Sequence, residues 1–263
     1  MKHARDPRLA AVAWRDLLPL SRADVADELL LSLPWLLASL LFAQARLYPL
    51  ALAASFLFFL TGLRQVHNAY HYALGLPRAA TEWVMAALSL LMLGSMHAVQ
   101  INHLRHHRHC LEPEDVEAMS ARLPAWGALL VGPWFPLRLH HKALQLADAR
   151  QRRWILTELA ANAAWIALVF AVLRVRALEY HVLAMTLGQC LTAFFAVWTV
   201  HHDTAGAAYP ARSIRNRLKA RLTYSMFFHV EHHLFPAVPT RRLPILAQRL
   251  ERAAPELGAP QVF

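Results

Sequence analysis

The chain has 263 residues, of which 57% are hydrophobic and only 17% charged, with a mean hydropathy of +0.30. Soluble domains carry about 45–50% apolar and about 25% charged residues, so disorder, a disulfide scaffold, a collagen-like fibre and a multidomain soluble enzyme are excluded. A net charge of +10 and 16 histidines must be housed in this oily chain, and polar rings buried without partners are costly.

The first 28 residues mix Lys2, Arg5, Arg8, Arg15 and Arg22 with acids from Asp6 to Glu28, which is not the pattern of a signal peptide. Two uncharged runs follow, Leu29–Ala45 and Leu47–Leu63, broken at Arg46, Tyr48 and Pro49. Each is near the minimum length for crossing a bilayer, and together they predict a hairpin with spans over 29–46 and 47–66. His67 and His71 stand where the second run ends. On a helix this spacing puts both rings on one face.

Trp83–Val99 and Leu123–Leu137 are apolar but interrupted. The first ends in His97, Gln100, Asn102 and His103; the second contains Pro124, Pro133 and Pro136. Both are expected to be re-entrant or interfacial. Between them His103, His106 and His107 again share one helical face. The acidic stretch Glu112–Glu117, including Asp115, follows and offers either hydrogen-bond acceptors for ligand histidines or a solvated turn. His109 has the same two readings, and His140 and His141 are expected to meet lipid headgroups.

Trp154–Leu173 and Tyr180–Val200, separated by Arg174–Arg176, predict a second hairpin over 154–173 and 178–200. The expected architecture is all-α and integral to the membrane: four spans in two hairpins, with interfacial helices and a histidine-rich cap from 67–153 and 201–263, in one domain over 1–263. Of the 27 basic residues, only Arg46, Arg174 and Arg176 fall on the side away from the cap. The positive-inside rule then puts both termini and the cap in the cytosol, and the basic charge marks orientation rather than nucleic acid. The expected location is a bacterial inner membrane.

His201 and His202 stand at the end of the fourth span, with Asp203 beside them. The run Arg212, Arg215, Arg217, Lys219 and Arg221 either docks an acidic partner or meets anionic lipid, and the positive-inside bias favours lipid. His229, His232 and His233 repeat the spacing of the second cluster, with Glu231 inside it. All these clusters fall at one membrane face. Imidazole suits Fe, Zn, Cu and Ni, and eight clustered histidines plus one of His201 and His202 exceed what one ion takes, so two ions are expected. His109, Asp115, Asp203 and Glu231 are the candidates to orient the ligand rings.

The ordered sequences from His67 to His71, His103 to His107 and His229 through Pro236 resemble the membrane fatty acid desaturase superfamily, over roughly Leu29 to Pro244. The resemblance implies a non-haem di-iron centre that attacks an unactivated C–H bond of a fatty acyl chain using O2 and two electrons. The ligands it implies are His67, His71, His103, His106, His107, His229, His232, His233 and one of His201 and His202. The acyl chain, linked to lipid, CoA or a carrier protein, is expected to run along Phe56–Leu63 and Phe194–Trp198. The chain has no dinucleotide fingerprint, iron–sulfur cysteine cluster or haem-attachment pair, so an external donor such as a ferredoxin or cytochrome b5-like protein is implied. A hydroxylase or ketolase on the same scaffold is the alternative. A non-enzymatic haem or metal carrier is more remote, because it needs ligands at mid-membrane.

Overall fold

The computed structural model describes residues 7–207, 209–254 and 262. Lys2, His3, Arg5 and Asp6 lie outside the described residues. Within them the chain is helical, without a strand. After a short α1 (Pro7–Ala10), the first long helix is built from α2 (Arg22–Leu30) and α3 (Leu33–Gln44). It starts at a capping box: Ser21 Oγ accepts from Asp24 N–H and Asp24 Oδ2 accepts from Ser21 N–H. α4 (Tyr48–Tyr70) returns after a turn in which Arg46 takes φ 63°. Pro49 sits in its first turn, where no intrahelical N–H is lost.

α5 (Arg78–Met92) and α6 (Met96–His109) are bent by 111° at their break. Leu93 ends α5 in the left-handed region, and Ser95 caps α6 by accepting from Ala98 N–H. This resolves the Trp83–Val99 stretch as two helices rather than a straight span. The proline-rich stretch is divided between α7 (Ala125–Leu130) and the start of α8 (Phe135–Leu146), with Trp126, Leu130, Trp134 and Leu137 all exposed, as an interfacial segment requires.

α9 (Ala149–Ala167) is capped by Asp148 and runs into a π-helical turn over Leu168–Leu173. α10 (Arg176–Thr192) continues through a second π-helical turn over Ala193–Trp198 into α11 (Thr199–His201). Such widened turns recur at functional sites, and this one leads into α11, which ends at His201. The chain closes with α12 (Arg217–Leu222), α13 (His229–Leu234) and α14 (Leu243–Ala253).

Four helices among the described residues are long and apolar enough to cross a membrane: Arg22–Gln44, Tyr48–Tyr70, Ala149–Leu173 and Arg176–His201. Their number is the four expected, and α4 continues through His67 to Tyr70. The helix does not stop where the apolar run stops, because its polar end is buried in the cap rather than left in water. Outward-facing Leu41, Val172 and Leu183 are exposed, as lipid-facing residues are. Inside, Phe58, Met85, Met92 and Met185 pack between α4, α5 and α10. A second core, with Ile214, Val238, Leu243 and Leu246, joins the C-terminal segment to Leu9, Val12 and Leu17.

Candidate metal centre

Four elements bring the histidines together. α4 and its C-cap carry His67 and His71, α6 carries His103, His106 and His107, α11 carries His201, and α13 carries His229, His232 and His233. Except for the partly buried His71, these rings are buried.

Hydrogen bonds at the backs of the rings decide which way the lone pairs point. His106 Nδ1 donates to Asp115 Oδ2 at 2.7 Å, and His103 Nδ1 donates to Glu117 Oε1 at 2.7 Å. His201 Nδ1 donates to the Pro210 carbonyl at 2.6 Å, since only an N–H can face a carbonyl oxygen. In each neutral ring Nε2 is then a bare acceptor. Yet His106 Nε2 lies 3.1 Å from His201 Nε2, acceptor against acceptor. His106 Nε2 is also 3.2 Å from His233 Nε2, and His229 Nε2 is 3.0 Å from His201 Nε2.

A second convergence lies beside the first. His107 Nε2 is 2.8 Å from His232 Nε2 and 3.1 Å from His103 Nε2. The buried Nε2 atoms of His67 and His71 have no hydrogen-bond partner among the described residues. His67, His71, His103 and His232 offer donor atoms that all lie within 4.8 Å of one another, and so do His106, Cys110, His201 and His233. For metal–nitrogen bonds of about 2.1 Å, two ligands at right angles stand about 3.0 Å apart. Facing lone pairs at these separations repel unless a cation lies between them, so the residues fit metal ions.

Burial keeps His71, His229, His232 and His233 in the neutral form a metal needs, whereas Cys110 and Asp115 push His106 the other way. Burial lowers His71 to about 4 and pushes His229, His232 and His233 well below the ordinary imidazole value, with neighbouring histidines adding to the effect. Glu117 moves the other way, raised by burial to about 7.

The remaining predicted residues are placed elsewhere. His202 stacks on Trp198 at 3.8 Å and bonds the Trp198 carbonyl, so its ring does not join the clusters. His109 bonds Glu112 at the surface. Asp203 is exposed and pairs with Arg212, because its turn faces solvent. Glu231 is fully buried but accepts from Ser213 Oγ and pairs with Arg215, bracing the loop ahead of α13 rather than a histidine. Of the four candidates for orienting the rings, Asp115 alone does so. His140 is not a headgroup contact: its Nε2 accepts from Ser95 N–H at 2.9 Å, which ties α8 to the start of α6.

Sequence reasoning left Glu117 open within the acidic stretch and missed Cys110. Glu117 was one carboxylate among several, and only the turn after α6 aims it at His103. Cys110, one helical turn beyond His106, is legible as a histidine–cysteine pair at spacing 4.

An apolar cavity of about 570 Å³ leads to the rings. It is lined by Phe56, Phe59 and Leu63 of α4 and by Phe194 to Val200, and it ends on His67, His103 and His229. Both segments expected to flank a substrate chain therefore do line a cavity.

The family model for fatty acid desaturases matches residues 43–263. The chain belongs to the fatty acid desaturase family. It is 28% identical over 206 residues to the sphingolipid delta(4)-desaturase/C4-monooxygenase DES2 of Homo sapiens, covering 72% of this chain and 59% of that protein. It is 27% identical over 226 residues to the beta-carotene ketolase of Paracoccus sp. (strain N81106 / MBIC 01143), covering 78% of this chain and 83% of that enzyme. No solved structure matches significantly. The chain is thus an integral membrane protein of a family that uses iron, and the relatives it matches are named as a desaturase/monooxygenase and a ketolase.

Proposed function

We propose that the protein is a fatty acyl desaturase with two irons, its active site on the cytosolic face. The observation that carries this reading is the convergence of two sets of imidazole nitrogens at the end of an apolar cavity. His67, His71, His103, His107 and His232 would hold one iron, and His106, His201, His229 and His233 the other. When bound, the irons supply O2 activation and removal of two hydrogens from adjacent carbons. Saturated acyl chain, O2, two electrons and two protons give an alkene and two waters.

The protein's own residues hold and orient. Asp115, Glu117 and the Pro210 carbonyl fix three rings with Nε2 inward. Phe56, Phe59 and Leu63 grip an acyl chain without polar contacts, so only its position against His67, His103 and His229 selects the carbons attacked. Electrons come from a separate donor such as a ferredoxin or cytochrome b5-like protein, since the chain carries no motif for a redox group of its own.

The test is expression in a lipid-producing host beside a His107→Ala variant, with products weighed by mass spectrometry. Loss of two hydrogens, abolished in the variant, supports desaturation. Gain of oxygen moves the chain to hydroxylation or ketolation, and equal lipid profiles in both strains sink the site assignment.

A further inference from the structure

Cys110 caps the end of α6, and its sulfur lies 3.9 Å from His106 Nε2 and 3.9 Å from His201 Nδ1. It joins His106, His201 and His233 in one group of donors, all within 4.8 Å of one another. The three histidines are buried, and the facing acceptors of His106 and His201 already call for a cation there. With a metal–sulfur bond of about 2.3 Å and a metal–nitrogen bond of about 2.1 Å, a tetrahedral angle sets sulfur and nitrogen about 3.6 Å apart. A modestly wider angle reaches the observed 3.9 Å to His106 Nε2; the contact to His201 is made to its Nδ1 side, the nitrogen that donates to Pro210. The thiol's other contact is weak: the Pro210 oxygen is 3.8 Å away and already accepts from His201 Nδ1.

We propose that Cys110 supplies a sulfur ligand to the metal held by His106, His201, His229 and His233, an inference that rests on the two-metal reading above. Metal binding breaks the S–H bond, forms a metal–sulfur bond and releases the proton to water, with no change in oxidation state. The two positions then differ in kind. The one built on His67, His71, His103, His107 and His232 is all nitrogen, and the one beside Cys110 is a softer mixed site.

The test uses the full chain carrying Cys190→Ala, so that Cys110 is its single thiol, stripped of metal and reloaded with cobalt(II). Two cobalts per chain are expected, with a near-ultraviolet sulfur-to-cobalt charge-transfer band that Cys110→Ser removes. Maleimide should label Cys110 about tenfold more slowly in the loaded protein, because a ligated thiolate is not free to attack. If Cys110→Ser does not fold, X-ray absorption of the loaded parent decides, through a sulfur scatterer at about 2.3 Å. Two cobalts with neither band nor sulfur scatterer overturn the cysteine ligand and leave the two-metal reading standing. Fewer than two cobalts overturn both.

Discussion

His201 Nδ1 donates to the Pro210 carbonyl at 2.6 Å, and that contact turns Nε2 of His201 toward His106 and His229. Its neighbour His202 instead bonds the Trp198 carbonyl and stacks on that indole. His201→Ala is expected to cost the protein one metal per chain and its activity, while His202→Ala keeps both. Metal analysis of the two purified variants checks this, and equal loss from both would refute the distinction.

Asp115 holds His106 through a buried contact of 2.7 Å and also accepts from the N–H groups of Leu111 and Ala118. Asp115→Asn keeps the side chain's shape but removes the charge that orients the ring. Metal affinity should fall by about 10–100-fold, the usual cost of removing such a partner. Competition with a metallochromic chelator measures it, with circular dichroism confirming unchanged helix.

The pH dependence follows from His71, whose folded-state value is lowered by burial to about 4 against 6.5 ordinarily. The unfolded ring takes up its proton first as pH falls. The stability it contributes is therefore present above pH 6.5 and lost as pH drops toward 4. The folded ring takes up its own proton only near pH 4, so metal retention by the folded protein should hold until the pH nears that value. Loss of metal well above pH 4 from protein that is still folded would contradict a neutral His71.

Gly188 lines the cavity, and a Cβ there would stand 2.8 Å from Phe59 Cδ2. Gly188→Ala forces the Phe59 ring to move within a wall it shares. The chain-length distribution of products should change while bound metal does not. Gas chromatography of products beside metal analysis separates the two, and altered metal content would mean that the cavity and centre are not independent.

Glu28, 1% exposed, pairs with Arg64 and also accepts from Asn68 Nδ2, while Asn68 Oδ1 accepts from Thr240 N–H. This network fastens the first two spans to the C-terminal segment, immediately beside His67. Glu28→Gln leaves Arg64 buried without its counter-charge and should destabilise the fold by about 3–5 kcal/mol. Chemical unfolding in detergent tests it, and a loss below about 1 kcal/mol would assign the pair no more than a surface bridge's worth.

Much of the architecture is legible in the residues themselves. The four spans follow from run length, and the three histidine clusters follow from spacings of 3 and 4 on helices. The ring-orienting partners were less legible. Asp115 and Glu117 sit in the same acidic stretch as Glu112 and Glu114, yet two carboxylates turn inward and the others do not. That choice depends on the turn after α6, where Leu111 takes φ 64°. Glu231 looked equally promising from its place between ligand histidines, but on α13 its side chain points to Ser213 and Arg215.

A membrane protein with its histidines gathered at one face can be read from the residues alone, because hydropathy and helical spacing are local properties of the chain. Tertiary structure alone decided how the histidines divide. The adjacent His106 and His107 go to different clusters, each completed by a ring from α13: His233 for the first and His232 for the second. Neighbouring residues on a helix point about 100° apart, so α6 and α13 each contribute to two clusters at once. Which ring meets which is set by how four separate elements pack, and no spacing along one of them contains it.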